Sequence, residues 1–244
     1  MTENQDRIAT AIVLAAGLGQ RMRPLTADRP KPLVEVAGRT LLDRVLDRLA
    51  ASGIERAVVN VHYWGDQIVA ALGSRARPAI LISDETGELL DTGGGVRKAL
   101  GLLEAGPFFV HNSDSIWMEG VEDNLARLRR HWDAARMDCL MLLAMTTTST
   151  GYDGRGDFTM DAAGRVARRG EHEIAPFAFT GVSIMHPRLL EAAPEGAFSL
   201  NRLWDQAIEA GRLHGLRLEG RWMHVGTPLG LAEAERALAE PQDG

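Results

Sequence analysis

The sequence predicts an α/β fold with a mainly parallel central sheet, helices on both faces and a smaller β-rich part. Three observations carry this. Short apolar runs alternate along the first half with segments whose apolar residues recur at three-to-four spacing. Those runs are apolar almost throughout, as in parallel strands covered on both faces. After about residue 146 the alternation gives way to a hairpin and isolated strands.

The elements follow in order. Ile8 to Leu14 reads as the first strand, ending in a glycine turn and a long loop. Leu41, Leu42, Val45, Leu46 and Leu49 form a helical face that Ser52-Gly53 ends. Arg56 to Val61 is a second strand, Ile68, Val69 and Leu72 mark a short helix, and Ala79 to Ser83 is a third strand. An acidic loop over 84–92 leads to a helix through Val96, Leu100 and Leu103. Pro107 to Asn112 is the fourth strand. Val121, Leu125, Leu128 and Trp132 share one helical face, and Met137 to Met145 is a long buried fifth strand. Phe158 to Arg169 reads as a hairpin turning at Asp161 to Gly164, and Phe177 to Met185 as a strand. A helix through Leu200, Leu203, Trp204, Ala207 and Ile208 starts after Ser199, a residue type suited to an N-cap. A strand over 213–220 and a helix spanning Ala232 to Ala237 precede a tail, Glu240 to Gly244, expected to fray.

Composition bounds the function. The chain has 244 residues, 45% hydrophobic and 25% charged, with net charge −6, so a cytoplasmic globular protein is expected. Its pI near 5.7 opposes nonspecific nucleic-acid binding. No apolar run approaches the roughly 20 residues of a membrane span, and the polar start Met1 to Arg7 lacks a signal region. Cys139, the single cysteine, lies in the apolar run CLMLLAM and reads as a buried structural thiol. No internal repeat or linker divides the chain.

Chemistry concentrates in residues 13–33, VLAAGLGQRMRPLTADRPKPL. Between Ala15 and Lys31 lie Arg21, Arg23, Arg29 and Lys31 against the single acid Asp28, a local +3 (four minus one). Cations and turn N–H groups together, at the carboxyl end of a first strand, suit a polyphosphate. Gly17-Leu18-Gly19 begins a G-x-G, but the third glycine of a dinucleotide fingerprint falls on Met22, and no acid ends the second strand. No G-x-x-x-x-G-K-[ST] occurs, which excludes a Walker A loop.

AAGLGQRMRPLT followed by RPKPL resembles the signature of the sugar-1-phosphate nucleotidylyltransferases. The resemblance continues through Thr92-Gly93-Gly94-Gly95, Asn112 to Trp117, Phe179 to Val182, Phe198 to Leu200 and Trp222 to Thr227, nearly the whole chain. The combination looks most like the short bacterial N-acetylmuramate-1-phosphate uridylyltransferases of cell-wall recycling. No C-terminal hexapeptide repeat of the bifunctional relatives is present. The resemblance implies one Rossmann-like nucleotidylyltransferase domain over 1–244. About 1–115 would bind nucleotide, and about 116–244 would bind sugar and close the cleft. The partners implied are a nucleoside triphosphate, UTP first, and a sugar-1-phosphate. No nucleic acid or membrane is implied, and the chain would be a monomer or homodimer.

Site residues are carried over position by position. Arg21 would hold the β- and γ-phosphates and Lys31 the α-phosphate and the incoming sugar phosphate. Ala15, Ala16, Gly17, Gly19, Gly93, Gly94 and Asn112 would bind nucleotide, with Gly93 to Gly95 letting backbone approach the base or ribose. Glu85 or Glu88 is a candidate polar contact to the base, set against the reading of both as solvated acids. Glu171, Thr180 and Gly181 would meet the sugar, and Arg168, Arg169 and His172 are candidates for the lactyl carboxylate of muramate.

Asp114 would bind Mg²⁺. The second metal carboxylate of the family is replaced here by His224, and imidazole suits Mn²⁺, Co²⁺ or Zn²⁺ better. Three readings of His224 stay open: a different metal, a phosphate or metal-bound water as its partner, or lost catalysis. The same fold handles guanylyl, thymidylyl and cytidylyl transfer and other sugars. A non-catalytic nucleotide-sugar binder and an oxidoreductase are the rival classes.

Overall fold

The computed structural model describes residues 7–240. The expectations for Met1 to Asp6 and for Pro241 to Gly244 fall outside the described residues. In chain order the elements are β1 (Thr10–Leu14), β2 (Glu35–Val36), β3 (Arg39–Thr40), α1 (Leu41–Ala51), β4 (Arg56–Val61), α2 (Gly65–Leu72), β5 (Ala79–Asp84) and α3 (Asp91–Ala99). Then come β6 (Phe108–Asn112), β7 (Ser115–Glu119), α4 (Asn124–His131), β8 (Cys139–Met145), β9 (Phe158–Met160) and β10 (Val166–Arg168). The chain continues with β11 (Phe177–Met185), α5 (Asn201–Glu209), β12 (Leu213–Arg217), β13 (Gly220–His224) and α6 (Pro228–Ala239).

A nine-stranded sheet runs β10-β9-β11-β6-β1-β4-β5, with β8 pairing β11 and β12 pairing β8. The strand–helix half is parallel: β6, β1, β4 and β5 run the same way. Around β11 the pairing with β6, β8 and β9 is antiparallel. The chain leaves β1 for β4 on one side and returns to β6 on the other. That reversal opens a crevice beyond the carboxyl ends of β1 and β6, where open α/β sheets bind ligands.

Alternation along β1 divides the core. Ala11 and Val13 face α1, α2 and α4 through Leu46, Ile68 and Leu125. Ile12 faces α3 and α5 through Val96, Leu203 and Trp204. Cys139 is buried within that second layer, and burial pushes its thiol up to about 12, as expected of a structural cysteine.

A third core forms away from the sheet. Met22, wholly buried, packs with Val34, Leu41, Ile116, Met223, Val225 and Ala234. It is framed by β7 pairing β13 antiparallel, Ser115 opposite His224, a ribbon that the sequence reading did not separate. This ribbon ties the C-terminal segment to the loop after β1.

Several boundaries differ from expectation: the strand expected over 213–220 ends at Arg217, and that expected over 137–145 starts at Cys139. The loop assigned to 84–92 ends earlier, because Asp91 and Thr92 already belong to α3. Val121 is 99% exposed rather than on the α4 face, since Asp123 caps that helix by accepting from Ala126 N at 2.6 Å.

Candidate active site

The crevice is a cleft of about 820 Å³. Its lining includes residues 14–22, Lys31, Pro32, Asn60, Leu89, Asp91, Thr92, residues 112–114 and Gly226. The expected nucleotide-binding residues Ala15, Ala16, Gly17, Gly19 and Asn112 therefore share one surface with Arg21, Lys31 and Asp114.

The turn after β1 is pinned at its base and open at its tip. Ser113 N donates to Leu14 O at 3.1 Å, and Ala15 N donates to Asn60 Oδ1 at 2.6 Å. Beyond these, no described residue accepts from the N–H groups of Ala16, Gly17, Leu18 or Gly19. Gly19 takes a left-handed φ of 63°, and its carbonyl accepts from Thr26 Oγ1 at 2.8 Å. Gly17 needs no such freedom, and nothing lies within 4 Å of the Cβ it lacks. Its smallness leaves room in the cleft, not in the protein. A row of free N–H groups beside cations is a cradle for anionic oxygens.

Of the four clustered cations, Arg21 and Lys31 line the cleft, whereas Arg23 and Arg29 do not. Arg29 pairs with Asp28 at 3.2 Å on the surface. Lys31 sits on a short 3-10 turn (Lys31–Leu33) with Pro30 before it and the buried Pro32 after it. Its ammonium is ion-paired to Asp114.

Asp114 follows β6 and is half-buried. Burial opposes its charge, but the Lys31 ammonium and the nearby His224 prevail and hold its carboxyl below the ordinary value. The imidazole of His224 packs edge-on against Tyr152, ring centroids 5.8 Å apart. It also occupies the space that a Cβ at Gly226 would need, which explains a glycine on the cleft wall there. Burial lowers its basicity; Asp114 pulls the other way, while Lys31 and Arg21 add to the lowering. His224 thus lies in the electrostatic neighbourhood of Asp114, Lys31 and Arg21. Among the described residues no three His, Cys, Asp or Glu side chains gather as a metal cage.

Several residues expected at the site lie outside the cleft lining. Gly93 and Gly94 lie buried in α3 and outside the cleft lining, and their N–H groups both donate to Phe198 O, at 2.8 and 3.1 Å. A Cβ at Gly93 would strike the Phe198 ring, and one at Gly94 the Gly196 carbonyl. These glycines admit the neighbouring loop of Gly196 and Phe198. Glu85 is 1% exposed, not solvated, and its carboxylate is used internally by Asn60 and Leu90.

Thr180 is buried, and its hydroxyl donates to Leu142 O at 2.9 Å, so it faces the sheet and not the cleft. Gly181 takes φ 90° where β11 shifts register, and a Cβ there would collide with Ser115 Oγ and crowd Asn112. It provides clearance for Ser115 and Asn112. Glu171 is exposed on the turn after β10, away from the cleft lining. Arg168 is held by Asp205 at 2.8 Å, and Arg169 donates to the carbonyls of Gly156, Gly170, Glu171 and Glu173.

Comparison with known proteins agrees with the geometry. The family model for nucleotidyl transferases matches residues 10–241. The chain is 49% identical over 234 residues to an N-acetylmuramate alpha-1-phosphate uridylyltransferase of Caulobacter vibrioides, covering 94% of this chain and 97% of that one. It is 34% identical to one of Neisseria meningitidis serogroup B over the same shares. The chain belongs to the nucleotidyl transferase family. The fold also matches HddC from Yersinia pseudotuberculosis complexed with GMP-PN, with TM-score 0.75 and 21% identity over 95% of this chain and all of that one.

Within this nucleotidyl transferase, two cleft residues escaped the sequence reading. Asp91 lines the cleft at the start of α3 with φ 57°, a conformation that non-glycine residues seldom adopt. Asn60 lines it from the end of β4. A polar amide at the carboxyl end of an otherwise apolar buried strand was the available signal.

Proposed function

We propose that the chain transfers a uridylyl group from UTP to N-acetylmuramate α-1-phosphate, releasing pyrophosphate. The observation that carries this reading is the convergence of Arg21, Lys31, Asp114 and the free N–H groups of Ala16 to Gly19 on one cleft. The choice of uridylyl and muramate rests on the names of the two full-length relatives.

A sugar phosphate with a second pKa near about 6 is largely dianionic at neutral pH. It can attack the α-phosphorus without a general base, so alignment and charge neutralisation supply the catalysis. The turn N–H groups hold the triphosphate. Arg21 grips the departing β- and γ-phosphates with its planar fork. Lys31 lies between the α-phosphate and the attacking oxygen, drawing the two anions together. Asn112 orients the ribose or the sugar.

The donor set fits a divalent cation completed by substrate oxygens. Asp114 offers an ionised hard-oxygen ligand, and His224 a weakly basic imidazole beside it. Bound there, Mg²⁺ would neutralise phosphate charge; Mn²⁺ would tolerate the imidazole better. The same reading assigns one domain, its nucleotide part about 1–115 and its sugar part about 116–244, acting in the cytoplasm in peptidoglycan recycling.

The test is a matrix of the four nucleoside triphosphates against several sugar-1-phosphates, read as pyrophosphate release. UTP with N-acetylmuramate α-1-phosphate should give the highest kcat/KM. A preference for GTP with mannose-1-phosphate would move the assignment within the family. No release with any pair would leave a binder.

A further inference from the structure

The turn that would cradle the triphosphate is fixed by a buried polar chain that crosses three elements. Leu14 on β1 stands opposite Asn60 on β4 in the parallel ladder. Past that pair β1 leaves the sheet, and the next donor, Ala15 N, has no strand partner. The Asn60 side chain supplies one: its Oδ1 accepts from Ala15 N at 2.6 Å. Its Nδ2 donates to Glu85 Oε1 at 2.7 Å, just beyond β5, and Glu85 Oε2 accepts from Leu90 N at 3.2 Å, just before α3. Asn60 and Glu85 are 2% and 1% exposed. The Ala15 N–H can only donate, so the amide oxygen of Asn60 faces it and the amide nitrogen turns to Glu85.

Gly95 completes the arrangement. A Cβ there would lie 2.8 Å from both Asn60 Nδ2 and Glu85 Oε1. The third glycine of the TGGG run is therefore the clearance for this pair. The N–H groups of Ala16 to Gly19, which no described residue accepts from, lie immediately beyond the pinned Ala15.

We propose that Asn60, oriented by Glu85 and accommodated by Gly95, is a positioning residue for the nucleotide. It sets the height and direction of the turn whose N–H groups receive the triphosphate. This rests on the reading of the cleft given above. Its effect belongs to nucleoside triphosphate binding and not to the sugar phosphate.

The test uses the full-length enzyme, UTP with Mg²⁺, and N-acetylmuramate α-1-phosphate. Asn60→Asp keeps the acceptor for Ala15 but sets a second carboxylate against Glu85. It should raise the UTP KM, and the UTP Kd measured by calorimetry, by about tenfold. The sugar-phosphate KM should stay within about twofold. Gly95→Ala, which removes no polar group, should show the same split. The double variant Asn60→Asp with Glu85→Gln re-pairs every donor and acceptor, with only the bond between positions 60 and 85 reversed in direction, and should recover UTP affinity to within about threefold.

Equal losses for both substrates, or no recovery in the double variant while its melting temperature matches the unmodified protein, would overturn the proposal. Should Asn60→Asp fail to fold, the double variant and Gly95→Ala still decide it. Unmodified protein that binds no nucleoside triphosphate overturns both readings. Protein that binds UTP but lacks the split overturns only this one.

Discussion

Lys31 and Asp114, 83 positions apart in sequence, are ion-paired on the wall of the cleft. Each is also the group assigned to a phosphate or a metal ion. On the proposed reading, the pair holds both charges in a mutually neutralised form, and substrate would have to draw Lys31 away from Asp114 for either to act.

Removing Lys31 should separate catalysis from folding. Lys31→Ala is expected to lower kcat about 10²–10³-fold, the usual effect of losing one transition-state donor. Asp114→Asn should do the same through the metal. Single-turnover rates with saturating UTP check this, and a loss confined to KM would contradict the assignment.

The ion pair also predicts a pH dependence of stability. The Asp114 carboxyl is held below its ordinary value of 3.8, so its contribution is present above that value. It fades as pH falls through the lower folded-state value, because the unfolded chain then binds the proton more readily. Denaturation midpoints of the unmodified protein and Asp114→Asn should keep a constant gap between about pH 5 and 7 and converge toward pH 3. A gap that widens on acidification would be the wrong sign.

His224 should respond to the metal offered. His224→Asp supplies a hard oxygen and is expected to tighten Mg²⁺ more than Mn²⁺. Activation constants for the two ions, measured with and without the substitution, read the effect. If neither tightens, position 224 is outside the coordination sphere.

Two glycines should part company. Gly17→Ala meets nothing within 4 Å and needs no left-handed backbone, so the melting temperature should hold while the UTP KM rises. Gly93→Ala would drive a methyl group into Phe198. It should cost about 1–3 kcal/mol, or about 2–4 °C per kcal/mol in a chain of this size. The reverse pattern would refute the division between cleft glycines and packing glycines.

The sequence made the parallel half legible because its strands are apolar and its helices periodic. Arg56–Val61 and Phe177–Met185 fall where their residues place them. The ribbon of β7 with β13 was hidden because 115–119 and 220–224 are short, and their pairing is a contact about 100 residues long in sequence that periodicity cannot show. In the site, the charge cluster after β1 and the family resemblance singled out Arg21, Lys31 and Asp114, and the structure gathers all three on one cleft. Thr180 and the run Gly93 to Gly95 lie outside the cleft lining against protein neighbours, since a motif records which residue is required but not whether ligand or protein requires it. Asn60 was passed over for the same reason: its chemistry is spent on Ala15 and Glu85, which only the fold brings together.

The most direct measurement is a crystal structure of the protein with UTP and Mg²⁺. The account predicts the triphosphate lying along the N–H groups of Ala16 to Gly19, with Arg21 at its β- and γ-phosphates and Lys31 swung from Asp114 to the α-phosphate. A nucleotide bound elsewhere, with the Lys31–Asp114 pair intact and the turn after β1 untouched, would contradict it.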